Sequence, residues 1–257
     1  HQRIAAGDVM TVAFSPDGKL LATGSSEGVT RLWRMATGQP RGQPLRQSGP
    51  VQAVRFSPNG KLLATGANPP GVRLWETATG RPHGLSLQYS GGADELAFSP
   101  DGKLLATGVG LGARLWETAT GRPRGQPLAQ GAGPFAVAFS PDGKLLATGA
   151  ADNTARLWET ASGEQHGPSL GHEGSLDAVA FSPDGKLLAT GSEDWDARLW
   201  DTATGRLHCS PLQHQADVDA VAFGPDGLLL ATAAADSTVR LWETGSGLPC
   251  GPPLRHV

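Results

Sequence analysis

Three histidines, His172, His214 and His256, recur at one constant interval along the chain. That regularity limits the chemistry open to them. A metal site needs ligands that converge on one ion, and an acid–base pair needs two groups at one place with unequal surroundings. Side chains that return once per repeat are dispersed, one to each structural unit. His83, His166 and His208 recur within one residue of equivalent turn positions and are dispersed likewise. The carboxylates Asp17, Asp101, Asp142, Asp184 and Asp226 sit in Pro-Asp-Gly turns, with Asn59 in the second copy, and turn chemistry accounts for them. Ser182-Pro183 and its counterparts have no histidine placed beside them to activate a nucleophile. The glycine-rich stretch Gly108–Gly112 lacks the lysine and helix of a phosphate loop. The expectation is therefore no catalytic residue, no metal site and no cofactor.

What positions these residues is a repeat. The string Phe-Ser-Pro-Asp-Gly-Lys-Leu-Leu-Ala-Thr-Gly, with small variations, begins at Phe14, Phe56, Phe98, Phe139, Phe181 and Phe223, at spacings of 42, 42, 41, 42 and 42. An Arg-Leu-Trp string keeps phase with it and places Trp33, Trp75, Trp116, Trp158, Trp200 and Trp242. In the fifth copy the pattern predicts strands over Leu176–Ser182, Lys186–Gly191, Ala197–Thr202 and near Pro211–Gln213, separated by Gly- and Pro-rich turns. Val179 and Phe181 share one face of the first strand, and Ala178 and Ala180 the other. Bulk on one face and alanine on the other suit sheets stacked closely on both sides.

Four strands per repeat without helical periodicity resemble the WD-repeat family, over nearly the whole chain. The signature dipeptide is Trp-Asp only at Trp200-Asp201; four copies have Trp-Glu and the first has Trp33-Arg34. The resemblance implies an all-β β-propeller of six four-stranded antiparallel blades around a central channel, forming one domain over 1–257. It also implies a hydrogen-bonded chain inside each blade. Here that chain would be His172, Thr190 or Ser192, Asp194 and Trp200 in the fifth copy, and His214, Thr232, Asp236 and Trp242 in the sixth. The fourth has Gln130 at the His position with Asp152 and Trp158. The first has Ala5 and Glu27, and the second and third lack the acid, showing Asn68-Pro69-Pro70 and Leu111. Those two blades are expected to be the more weakly braced. Arg31, Arg73, Arg114, Arg156, Arg198 and Arg240, identical in every copy, are expected to brace the scaffold by stacking or pairing between blades.

Positions where the copies agree are read as scaffold, and positions where they differ as candidates for function. Variation concentrates ahead of the innermost strand and between the second and third strands, segments that share one rim of a propeller. They supply carboxylates interleaved with aromatic and apolar anchors. The candidate partner-binding residues are Met10, Asp94, Glu95, Phe135, Asp177, Glu193, Trp195, Asp196 and Asp219. Trp195 is the one tryptophan outside the repeat pattern. The sequence thus points to a non-catalytic scaffold for a protein or peptide, basic by complementarity. The alternative is a structural or sensory module within a larger bacterial signalling protein, and a propeller enzyme ranks third.

Composition agrees with this reading. Gly (36) and Pro (20) fall as punctuation between apolar runs. The formal charge of −3 gives no field that would draw the chain onto nucleic acid, and no apolar run approaches membrane-spanning length. Cys209 and Cys250 suggest no disulfide framework, which favours a reducing, cytoplasmic setting. A monomer is expected, with an oligomer as the alternative. The chain opens at His1 without Met, as a fragment or processed domain would. Either Arg3-Ile4-Ala5 or Gly251–His256 could supply the last outer strand, and we favour the N-terminal segment as a clasp.

Overall fold

The computed structural model describes residues 7–68, 71–84, 87 and 95–255. Asp94, Pro69-Pro70, His256 and the proposed clasp at Arg3-Ile4-Ala5 lie outside the described residues. Strands organise into six antiparallel sheets in which each strand pairs with its sequence neighbours. Five sheets have four strands. In the second, the fourth strand is reduced among the described residues to the bridge Val72↔Leu87. These are the four-stranded blades of a β-propeller fold, numbered here 1 to 6 in chain order. The outer strand of blade 6 is Leu254–Arg255, with Leu254 paired to Val239 and Arg255 to Thr238. The C-terminal segment therefore fills the place expected for the N-terminal one, because it follows the last Trp turn directly and repeats the register of the other outer strands.

Blade 5 shows why the sequence folds this way. Its strands are Leu176–Phe181, Leu187–Ser192, Asp196–Asp201 and Leu212–Gln213, each of the first three bounded within one residue of expectation. Ser182 and Lys186 leave the strands because the turn between them claims their polar groups. The Ser182 hydroxyl donates to Asp184 Oδ1 at 2.7 Å and accepts from Leu187 N–H at 2.9 Å, while Lys186 N–H donates to Asp184 Oδ1 at 3.1 Å. Gly185 takes a left-handed φ of 73°, which a residue without Cβ adopts at little cost. The Ser182 hydroxyl and then the Lys186 N–H hold the Asp184 carboxyl below its ordinary range.

One departure from strict alternation stands out. Leu176 pairs with Ser192 but Ala178 pairs with Gly191, so a β-bulge intervenes. The extra residue brings Leu176, Val179 and Phe181 onto one face, where they join Leu188 and Trp200 against Ala147, Ala155, Leu157 and Leu170 of blade 4. The same bulge recurs in blades 1, 2, 4 and 6.

The chain divides into two compact units, His1–Gly110 with Arg114–Gln126, and Leu111–Ala113 with Pro127–Val257. Each has its own core. In the first, Ala22, Leu32 and Leu45 of blade 1 pack on Val51, Val54, Leu63 and Trp75 of blade 2. Blade 2 packs on blade 3 through Ala53, Ala64, Leu74, Leu96, Leu105 and Trp116. In the second, blade 5 offers Ala189, Ala197, Leu199 and Leu212 to Val218, Leu230 and Trp242 of blade 6. Val12 in blade 1 is 55% exposed, whereas its counterpart Val54 is wholly buried.

Candidate functional site

The network implied for blade 5 is present in full and that for blade 6 in part, and the geometry sets the direction of each bond. Trp200 Nε1–H donates to Thr190 Oγ1 at 2.9 Å, Thr190 Oγ1 lies 2.8 Å from His172 Nε2, and His172 Nδ1 lies 2.9 Å from Asp194 Oδ2. A neutral imidazole with its proton on Nδ1 satisfies all three bonds: Thr190 donates to Nε2 and Nδ1–H donates to the carboxylate. Burial pushes the His172 pKa down more strongly than Asp194 pulls it up, so the ring is held neutral. Burial also pulls Asp194 up, but hydrogen bonds from the Glu173 N–H and His172 outweigh it and hold the carboxyl below the ordinary range. Ser192, the other candidate hydroxyl, serves elsewhere: it donates to Gly174 O and accepts from Asp194 N–H. Blade 6 repeats the chain with Trp242, Thr232 and His214, although His214 Nδ1 stands 3.5 Å from Asp236 and makes no hydrogen bond to it.

Glutamine replaces histidine in other blades. Gln130 Oε1 accepts from Thr148 at 2.5 Å while its Nε2 donates to Thr154 O at 2.9 Å. In blade 2 the Thr65 hydroxyl bonds Gln47, which stands at the repeat position of His172 and Gln130 but was not among the residues expected there. The expected weakness of blades 2 and 3 is thus met in part by another device. Without an acid to bind, Arg73 stands 5.8 Å over the ring of Trp75 and Arg114 stands 5.4 Å over that of Trp116, a cation–π arrangement. Where the acid is an aspartate, in blades 4, 5 and 6, the arginine pairs with it instead, as Arg198 does with Asp194 at 3.3 Å, and its Nη1 donates to Gly171 O in the outer strand of blade 4. Arg156 and Arg240 behave alike toward Ala129 O and Gln213 O. Stacking and ion pairing thus lie within single blades, and the reach between blades is made by the arginine bonds to the carbonyls of the preceding outer strand.

The candidate partner-binding residues fall in both units. Met10 (exposed) and Glu95 (half-buried) belong to the first unit. In the second, Phe135 is exposed at the start of blade 4. Asp177, Glu193 and Asp219 come together with Asp217 in blades 5 and 6. Burial raises the Asp177 pKa first, and then the charges of Glu193, Asp219 and Asp217 push it in the same direction. Asp196 is turned partly to the scaffold, 3.5 Å from Arg198 Nη2.

Trp195 is the most unusual member. It is 54% exposed and takes a φ of 71°. The turn between second and third strands demands a left-handed residue there, and other blades answer with Gly28, Asn153 and Ser237. Glycine and asparagine adopt that conformation readily, whereas a bulky side chain there costs on the order of 1 kcal/mol. Neither the turn nor the core calls for an indole. Among the described residues no group of three or more His, Cys, Asp or Glu could hold a metal ion, both cysteines are free, and no helix is long and apolar enough to cross a membrane.

Fold, repeat and bracing network together define a WD-repeat propeller. The family model for the WD domain, G-beta repeat, matches residues 1–34, 41–76, 127–159, 165–201 and 206–243, more than half of the chain, and the protein belongs to that family. An uncharacterized WD repeat-containing protein of Nostoc sp. is 67% identical over 33 residues, which are 13% of this chain and 2% of that protein's length. Among solved structures, the computationally designed Ika8 protein superposes with a TM-score of 0.81 at 25% identity, covering 95% of this chain and 73% of that one.

Proposed function

We propose that the protein is a non-catalytic binding platform whose rim at the Trp195 turn holds a basic peptide segment of a protein partner. WD40 propellers serve in general as protein-interaction scaffolds, and that coarser role follows from the family. The finer reading rests on one observation. An exposed tryptophan, where the sequence could have used glycine, occupies a strained left-handed site in the same turn as Glu193, whose charge acts on Asp177 together with those of Asp219 and Asp217. Strain kept at an exposed site is characteristic of binding surfaces, and an aromatic anchor among like charges suits a ligand of opposite charge with an apolar stem, such as a Lys- or Arg-rich strand. The same unit could act within a larger signalling protein, and peptide binding at this rim would then be its task there.

The test is titration of fluorescent peptides carrying Lys or Arg around one aliphatic residue, with scrambled acidic peptides as controls. Trp195→Ala should weaken binding about tenfold or more, the size of an interface anchor. Asp177→Asn should weaken it less and reduce its salt dependence. Unchanged binding in Trp195→Ala would refute the assignment of this rim.

A further inference from the structure

At the other end of the blades, Pro-Asp-Gly turns meet the turns before the outer strands, and clefts open there between blades 1 and 2, 4 and 5, and 5 and 6. Three such clefts can be compared position by position. Between blades 4 and 5 the charged positions are Asp142, Glu159, His166 and Asp184, with Lys144 at the margin. Between blades 5 and 6 they are Asp184, Asp201, His208 and Asp226, with Lys186. Both clefts carry three carboxylates and one lysine. Between blades 1 and 2 the cleft is about 920 Å³, and the corresponding residues are Asp17, Arg34, Arg41 and Asn59, with Lys19.

Three departures from the repeat therefore fall in one place, and each moves the charge in the positive direction. Arg34 stands where the other five copies have Glu or Asp, Arg41 where blades 2, 4 and 5 have His and blade 3 has Arg124, and Asn59 where the other turns have Asp; only the cleft between blades 1 and 2 combines all three. The structural consequence is an unpaired pair of cations. In blades 2 and 4 the equivalent residues lie against each other, His83 Nδ1 3.8 Å from Glu76 and His166 Nδ1 3.6 Å from Glu159. Among the described residues neither the Arg34 nor the Arg41 side chain has such a partner, while Lys19 pairs with Asp17 at 3.6 Å. Asn59 keeps the turn intact, since its Oδ1 accepts from the Ser57 hydroxyl and Lys61 N–H as the aspartates do elsewhere. It removes a negative charge and leaves an amide N–H₂ to donate. Met35, 45% exposed where the other copies have Thr, adds an apolar wall.

We propose that this cleft is a binding site for a phosphate-class oxyanion, held by Arg34 and Arg41 with the Asn59 amide as a further donor. Guanidinium groups match tetrahedral oxyanions through paired N–H donors, and two of them beside a single carboxylate leave a charge that a dianion complements. The site lies in the first unit and does not depend on the peptide rim.

The test uses the whole chain and two probes, inorganic pyrophosphate and a phosphoserine peptide without other charges, followed by calorimetry and NMR at low salt. At least one probe should saturate one site and weaken as salt is added. Pyrophosphate alone would assign a free phosphate ligand, and the phosphopeptide, competing with pyrophosphate, a phosphorylated protein. The triple variant Arg34→Glu, Arg41→His, Asn59→Asp restores residues that blades 4 and 5 already tolerate, so its fold is expected to survive, and binding should fall at least tenfold. The reverse triple, Glu159→Arg, His166→Arg, Asp184→Asn, should create a second site. Failure of both probes to saturate the native protein, or binding unchanged in the first triple variant, would overturn the proposal.

Discussion

Replacing Thr190 by Val removes one oxygen from the fifth blade and tests the bracing chain at its centre. Valine keeps the volume and the β-branch, so packing around this wholly buried site is preserved. Two groups lose a partner: the Trp200 indole N–H at 2.9 Å and His172 Nε2 at 2.8 Å. A buried polar group left unsatisfied costs about 1–3 kcal/mol, and because the two share one network their costs are not simply additive. The expected destabilisation is about 2–4 kcal/mol. Thr23→Val in blade 1 is the internal control. There the hydroxyl receives the Trp33 indole at 2.9 Å, and that ring is half-buried. Water can replace the lost bond, so about 0.5–1 kcal/mol is expected. Two compact units make a single global transition an unsafe measure. The assay is therefore exchange of the Trp200 and Trp33 indole protons followed by NMR, alongside denaturant unfolding. Trp200 protection should fall at least tenfold more in Thr190→Val than Trp33 protection falls in Thr23→Val. Equal losses would refute the view that the four-residue chain, and not the isolated indole bond, braces the blade.

Further outcomes follow from the same geometry. His172→Gln should keep the bond to Thr190, as Gln130 does to Thr148, at a cost of about 1 kcal/mol at neutral pH. The native protein has a His172 pKa lowered from 6.5 by burial, so the unfolded chain binds the proton first on acidification. Its contribution to stability is fully present above pH 6.5 and declines as pH falls from there to the folded-state pKa; the glutamine variant should show a flatter profile in that window by denaturant titration. Leu188→Ala, at a fully buried site between blades 4 and 5, should cost about 2–5 kcal/mol by chemical denaturation. Trp195→Gly should gain about 0.5–1 kcal/mol by relieving the left-handed backbone strain while losing peptide binding. A loss of stability there would mean the indole supports the fold.

The strands were legible because turn residues and side-chain alternation recur six times, each copy checking the others. The bulge ahead of Ala178 was not, because period-two reading assumes one residue per pleat and nothing in Leu176-Asp177-Ala178 announces an extra one. The bracing chain was legible where His and Asp are both present; Gln47 was missed although it stands as far ahead of Phe56 as His172 does ahead of Phe181, because no acid in its own repeat drew attention to it. Of the candidate rim, the Asp177–Glu193–Asp219 neighbourhood shows that adjacent blades bring residues one repeat apart together, as repeat geometry requires. The inverted charge of the cleft between blades 1 and 2 was hidden for the same reason. Arg34, Arg41 and Asn59 look like three unrelated exceptions until two blades are set side by side.

Arg198 reaches back across the blade boundary to Gly171 O, and His172, which follows the outer strand of blade 4, completes the network of blade 5. The unit of sequence is thus out of step with the unit of structure. A stretch one repeat long, cut at any phase, carries part of one blade and part of the next, and with them both sides of a joint. Duplicating such a stretch inserts a blade whose two joints are already fitted to its neighbours. Arrays of this kind can therefore lengthen or shorten by whole copies without new compensating mutations, and near-identical repeats are the form such growth leaves behind.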